Sequence, residues 1–286
     1  MRNRKLGRKR WIIPPMIIFL MVTLAVIVIT ALLAPVIAPI DLGASDLTQR
    51  LKMPKFKDPT SPYLFGTDNL GRDVAIRLLY ATRSTIMISF TGMIIATVTG
   101  TALGILSGLG GKWIDAVLSF FTDVRLSIPT TFIGIIFACI LGAKPVTTIL
   151  VMAITGWSSY CRLVRSQTFQ LKNAKFIEAS RSMGASGVKI VFEHILVNIA
   201  SPLIVQTTME LGGFILLEST LSFLGLGIEP PGTSLGVMVS LGRDYMLTHW
   251  WLAVLPSIII VVLILDISLI GDWLRDRLDP KLKNAS

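Results

Sequence analysis

Charge is scarce in this chain. Asp, Glu, Lys and Arg make up 15% of its 286 residues, where a soluble domain carries roughly 25%. With 52% hydrophobic residues and a mean hydropathy of +0.71, that scarcity excludes an ordinary soluble domain and indicates an integral membrane protein. Cysteine is limited to Cys139 and Cys161, both inside apolar runs on either side of a short loop. They offer no disulfide framework and no metal spacing, and they read as packing residues. Histidine is limited to His194 and His249, which fall on opposite sides of the membrane in the topology derived below. There is no His-Glu-x-x-His zinc site, and Gly156-Trp157-Ser158-Ser159 lacks the final glycine of a nucleophile elbow. An intramembrane enzyme has no visible machinery here. A Gly-x-x-x-x-Gly-Lys-Ser/Thr loop is also missing, which excludes ATP hydrolysis by that chemistry within the chain. No internal repeat is evident, which counts against a self-sufficient secondary transporter built from two repeated halves.

Acids are absent from residues 1–10, which hold Arg2, Arg4, Lys5, Arg8, Lys9 and Arg10. The apolar run from Trp11 to about Ala34 is too long for a signal-peptide core and long enough to cross the ~30 Å hydrocarbon layer. It reads as a signal anchor with its N-terminus inside. Pro14 and Pro15 fall in its first turn, where the missing N–H costs nothing. Residues 35–82 are polar and rich in proline (Pro35, Pro39, Pro54, Pro59, Pro62). Residues 41–61 look irregular. Asp68 or Asn69 could then cap a helix with Val74, Leu78 and Leu79 on one face, expected to rest on the outer membrane surface. The second span, about Thr85 to Leu109, carries Gly92, Gly100, Gly104 and Gly108, a stripe that lets helix backbones approach in lipid. The third region, Ile114 to Leu141, contains Asp115, Asp123 and Arg125, then Pro129, which should bend it. Positions i and i+2 diverge on a helix, so Asp123 and Arg125 need partners elsewhere, expected in the coupling region or on a partner subunit. Gly142 to Pro145 forms a short outer turn. A fourth span runs from Val146 to about Tyr160 and on to Arg165. A fifth runs from about Pro202 to Leu226, and the last from Trp250 to Trp273.

The expected fold is therefore all-α and membrane-integral, with about six transmembrane helices and both termini cytoplasmic. The formal net charge of +10 then follows the orientation rule for cytoplasmic loops, with its exception in the long first outer loop, where the rule is weakest. Trp11, Trp113, Trp250, Trp251 and Trp273 sit at span ends, as an interfacial aromatic belt would place them. Ionisable groups inside spans are functional hints by default, which makes Gln206, Glu210, Glu218 and Asp266 candidates for a translocation path. Glu210 and Glu218 are eight residues apart, about 80° around a helix. Both could face one cavity, or they could be neutral or paired with a neighbouring helix.

Between the fourth and fifth spans, Thr168 to Pro202 forms a polar, basic island. Leu171, Ala174, Ile177 and Met183 suit one short helix, which Gly184 would end. Ser186 can cap a second, whose Val188, Val191, Phe192, Ile195 and Ile199 follow helical periodicity. The flanking spans argue against a DNA-binding reading of this helix-turn-helix, so no nucleic-acid partner is expected.

Three segments carry a resemblance. EASRSMGASGVKIVFEHIL, with Glu178, Ala179, Ser180, Gly184, His194, Ile195 and Leu196, is similar to the cytoplasmic coupling loop of permease subunits of the dipeptide/oligopeptide/nickel ABC importer family. LFGTD-x-x-GRD at 64–73 resembles the segment that opens that family's core. Glu218-x-x-Leu-Ser-Phe-Leu-Gly-Leu-Gly, ending at Gly227, resembles a third signature. The chain departs at Ser180, where the family has a second alanine, and at Val197, where it has proline. The end of the second helix should then fall at Asn198 or Pro202.

The resemblance implies a type I ABC importer permease fold, with residues 1–82 as basic tail, signal anchor and outer loop. Residues 83–286 would form the transmembrane core, with a coupling loop at 166–201. It implies coupling to an ATPase through Glu178, Ala179, Ser180, Met183, Gly184, Ala185 and Ser186. Glu229, Pro230, Pro231 and Gly232 become candidates for docking a substrate-binding protein. The implied partners are a second, related permease in a heterodimer, two ATP-binding cassette subunits, an extracytoplasmic binding protein and the bilayer. No cofactor is implied for the chain itself, since ATP and Mg would sit on the ATPases. The implied location is the bacterial cytoplasmic (inner) membrane, and the implied cargo is peptides or a related cargo such as a nickel complex. The alternative is an ion-coupled secondary transporter using Glu210, Glu218 and Asp266 as a relay.

Overall fold

The structure, a computed structural model, describes residues 13–39 and 41–278. The basic N-terminal tail, Trp11 and the closing Lys281 and Lys283 lie outside the described residues. Among those described, regular structure is helical, with one isolated bridge between Thr67 and Asp73. The longer helices are α1 (Pro15–Leu32), α2 (Val74–Leu109), α3 (Gly111–Ser127), α4 (Thr130–Leu141), α5 (Pro145–Leu171), α6 (Lys175–Ser182), α7 (Gly187–Phe223), α8 (Leu235–Arg243) and α9 (Trp251–Leu278), with short turns of helix at Ala34–Ile37 and Leu47–Gln49. By length and apolarity α1, α2, α7 and α9 can each cross a membrane, and α3 with α4 can form a fifth, bent span. At 27 residues α5 is also long enough, but its many Thr and Ser residues lower its hydropathy. A sixth crossing of that kind must be shielded by neighbours.

The second span differs from its expected form. α2 has 36 residues and is about 54 Å long at 1.5 Å per residue. It begins at Val74, and the expected surface helix carrying Val74, Leu78 and Leu79 is its first two turns rather than a separate element. Its cap is Asp73, whose carboxylate accepts the amides of Ala75 at 2.7 Å and Ile76 at 3.3 Å. Asp68 instead closes the preceding turn, accepting the Leu70 and Arg72 amides and pairing with Arg72 at 2.8 Å. Val74, Leu78 and Ala81 are buried, because segment 41–73 and α8 cover this end of the bundle. The segment is pinned there by Phe56 against the Trp250 and Trp251 rings, and by Lys57 Nζ 4.6 Å from the Trp251 ring centre. Trp251 is consequently fully buried and does not belong to an interfacial belt, whereas Trp113 is 86% exposed.

The glycine stripe sets the central contact. A Cβ on Gly92 would lie 2.6 Å from Met152 Cβ, one on Gly104 2.7 Å from Val164 Cβ, and one on Gly108 2.6 Å from Thr168 Cβ. These pairs advance equally along both helices, so α2 and α5 run parallel at close range. Between them the chain crosses once through α3 and α4, which meet at an 87° bend. Ile128 takes the extended conformation that a residue before proline requires, with φ −100° and ψ 124°. Three apolar clusters stack along the bundle. Trp251, Leu235 and Ile215 centre the first, Met152, Tyr160 and Phe214 the second, and Ile177, Ile195 and Ile199 the third.

The expected end of the second loop helix at Asn198 or Pro202 does not occur. α7 runs continuously from Gly187 to Phe223, with a π turn at Ile190–Ile195 and Pro202 inside it. The wide turn and the proline are absorbed because Ile195 and Ile199 remain packed in the third cluster.

Gly104→Leu should separate α2 from α5. Overpacking of this kind costs roughly 1–3 kcal/mol, and we expect it as a lowered melting temperature of the purified protein, with Gly213→Ala, which meets open space, as the neutral control.

Candidate functional site

The loop between α5 and α7 is built from the chain's own turn chemistry. Gly184 adopts φ +86°, a conformation that glycine reaches without a Cβ clash. The Gly184 amide donates to the Arg181 carbonyl at 3.0 Å and the Ala185 amide to the Ser180 carbonyl at 3.1 Å. This pair of bonds is a Schellman close to α6. Ser186 then caps α7 by accepting the Lys189 amide at 3.3 Å. Ile177 and Ser180 face inward, and Ser180 Oγ lies 3.0 Å from His194 Nε2. The Phe176 ring meets the same imidazole edge-on at 5.9 Å. The hydroxyl that replaces a small apolar residue at position 180 thus has a polar partner on the next helix.

The outward face of the loop carries Glu178, Ala179, Met183, Gly184 and Ser186, while Ala185 is half-buried. Met183 was expected on the apolar face of the first loop helix but is 83% exposed. It is the capping residue just before Gly184, where the chain has already left the helical register. Val188 and Phe192 are also exposed, at 69% and 65%. The loop is braced from behind. Asp115 receives both ends of the Arg165 guanidinium, with NH2 to Oδ2 at 2.8 Å, and the Ser107 hydroxyl at 2.7 Å. Asp123 pairs with Arg162 at 2.9 Å, and Lys172 Nζ donates to the Gly108 carbonyl at 3.0 Å. The partners that Asp115 and Asp123 lack within α3 therefore stand on α5, at the entry to this loop.

Above the loop, the α3–α4 bend, α5 and α7 enclose a cleft of about 450 Å³. Its lining includes Arg125, Thr130, Thr155, Ser159 and Glu210. A neighbouring cleft of about 350 Å³ shares Leu126 and Ser159 with it and includes Gln206 and Arg162. Gln206 donates to Glu210 at 2.9 Å. Of the four path candidates, Gln206 and Glu210 come together here, and Glu218 and Asp266 do not. Glu218 is fully buried, accepting hydroxyls from Thr85 at 2.8 Å and Ser222 at 2.6 Å. Thr85 in turn accepts the Leu235 amide at 3.2 Å, so Glu218 ties α2, α7 and α8 together. Asp266 is buried on α9, outside the residues lining either cleft. Arg125 was expected in an ion pair, yet it forms none among the described residues. It donates to the Ile128 carbonyl at 3.2 Å and the Thr130 hydroxyl at 2.9 Å. A cation one helical turn before a proline break within a span was the available signal for its place in the cleft wall.

At the opposite end, Glu229, Pro230 and Pro231 are exposed and Gly232 is half-buried, in the loop joining α7 to α8. The base of this loop is held by Arg77, which donates to Thr233 at 3.2 Å and lies 3.5 Å from Asp68.

A parallel helix pair closed by a braced helical loop, with a polar cleft above it and an anchored outer loop, is the fold of a type I ABC importer permease. Solved structures agree. The inward-facing MetNI methionine ABC transporter matches 71% of this chain and 96% of its own, with TM-score 0.55 and 19% identity. An amino acid ABC transporter matches 68% and 90%, with TM-score 0.52 and 14% identity. Residues 100–284 match the binding-protein-dependent transport system inner membrane component family, and the chain belongs to it. Dipeptide transport system permease protein DppC of Haemophilus influenzae is 36% identical over 92% of this chain and 90% of its own length. The probable D,D-dipeptide transport system permease protein DdpC of Escherichia coli is 37% identical over 92% and 88%. Glutathione transport system permease protein GsiD of Pectobacterium atrosepticum is 36% identical over 79% and 75%.

Replacing Glu218 with leucine would leave the Thr85 and Ser222 hydroxyls buried without their acceptor, at about 1–3 kcal/mol of lost stability. Glu218→Gln, which keeps an acceptor oxygen, should lose less, and thermal unfolding of the two variants measures the difference.

Proposed function

We propose that this chain is one of two related permease subunits in a heterodimeric importer that passes short peptides across the inner membrane. ATP and Mg are held by two separate cassette subunits, and the chain itself is not an enzyme. An extracytoplasmic binding protein delivers the cargo at the loop carrying Glu229, Pro230, Pro231 and Gly232. Glu178, Ala179, Met183, Gly184 and Ser186 engage the ATPase, while Ser180 and Ala185 hold the shape of that grip. Gln206 and Glu210 lie on the path. The names of the relatives support peptides as cargo over a nickel complex.

The observation that carries this reading is the outward face of the coupling loop. Phe176, Met183, Val188 and Phe192 are exposed beside Glu178, on a segment that is otherwise polar and capped. An apolar patch with a charged rim marks a protein contact. Closure of the ATPases on this face would favour one of two bundle states through differential contacts. The ion-relay alternative finds no support in the geometry, because Glu210, Glu218 and Asp266 lie in three separate environments.

Gly184→Val tests the grip. A β-branched residue at φ +86° carries strain of about 1–3 kcal/mol, relieved by distorting the loop. We expect at least about a tenfold loss of peptide uptake by the reconstituted importer, with membrane insertion intact and ATP hydrolysis continuing uncoupled. Wild-type uptake in this variant counts against the coupling role.

A further inference from the structure

We propose that Arg125 and Glu210 form a charge-reading subsite for the two ends of a short peptide. The proposal deepens the peptide-importer reading and rests on it. Two opposite charges line one cleft of about 450 Å³, yet neither belongs to an ion pair among the described residues. Each is held instead by neutral groups. Arg125 is tethered by the Ile128 carbonyl and the Thr130 hydroxyl, and its Nε is buried with no hydrogen-bond partner. Glu210 accepts from the Gln206 amide. Such tethers fix each charge in place, and the two attract one another across the cleft without closing into an ion pair.

The other carboxylates on these helices and on α9 lie outside the cleft lining. Asp115 and Asp123 are paired with arginines on α5, and Glu218 is satisfied by hydroxyls. Arg125 and Glu210 are the charged side chains among the described residues lining the cleft, and hydroxyls of Thr155 and Ser159 stand with them. A guanidinium presents a planar fork of donors that matches a carboxylate. A carboxylate accepts from an ammonium group. A short peptide with free termini supplies both complementary charges on one small body, and a volume of this size falls within the range of small-ligand sites.

The test uses the assembled importer with Cys139→Ser, which removes the exposed native thiol, and Ser159→Cys, which puts a thiol on the shared cleft wall. Maleimide labelling of that thiol is timed with Ala-Ala and with its doubly capped, uncharged form, N-acetyl-Ala-Ala-amide. Saturating Ala-Ala should slow labelling, and the capped peptide should leave the rate unchanged. Arg125→Gln and Glu210→Gln should each raise the Ala-Ala concentration needed by roughly ten- to a hundredfold, the range a charge-assisted hydrogen bond commands. Equal protection by both peptides, protection by neither, or wild-type protection in both variants overturns the subsite. If the variants fail to assemble, the comparison of the two peptides on the parent protein still decides it. Ala-Ala uptake by the parent importer is measured in the same vesicles. An importer that carries no peptide overturns the peptide reading, whereas uptake without charge-selective protection overturns the subsite alone.

Discussion

A charged side chain facing hydrocarbon costs roughly 2.5–3.5 kcal/mol on insertion scales, and the bundle is arranged around that cost. Asp115 and Asp123 would be intolerable on a lone α3, but Arg165 and Arg162 meet them from α5. Glu218 sits at the centre of the outer half and is tolerated because hydroxyls on α2 and α7 converge on it. Arg77, also buried, is held against Asp68 and Thr233. Arg125 and Glu210, like Glu218 and Asp266, belong to no ion pair among the described residues, but unlike those two they line the cleft behind the α3–α4 bend.

Close packing makes the charge placement possible. The glycine stripe on α2 brings α5 near enough for the Ser107 hydroxyl and the Lys172 ammonium to span the two helices. The same stripe holds α5 in register, so that its polar face closes the cleft on one side. α7 closes the other side and does more. One continuous helix starts at the Ser186 cap, passes Gln206 and Glu210 in the cleft walls and Glu218, and ends at Phe223 below the outer loop. The loop, the cleft wall and the outer turn thus share a single element, whose π turn and internal proline are its two departures from regular geometry.

Much of this was legible in residue order. Apolar runs longer than a bilayer, glycines at four-residue spacing and a proline after a charged helix each carry a local physical cause. The loop between α5 and α7 was the most legible part, because Gly184 and Ser186 set its turn and cap through their own backbone and side-chain chemistry. The start of α2 was less so. Asp68, Asn69 and Asp73 are all capable caps, and only the buried fit of Val74 and Leu78 against α8 selects Asp73. Trp251 misled for a similar reason, since an aromatic at a span end looks interfacial until Phe56 and Lys57 cover it.

By itself the sequence determined the class of protein, the apolar runs that can cross a membrane, and the turn that shapes the loop between α5 and α7. These depend on hydropathy, charge bias and single-residue backbone preferences, which are properties of neighbours in the chain. Only the tertiary structure decided which intramembrane charges are structural and which face the cleft. Glu210 and Glu218 share one helix and differ by about 80° around it, so their fates depend on which helix stands opposite each. That is information about packing, and it exists only once α2, α5 and α8 are in place.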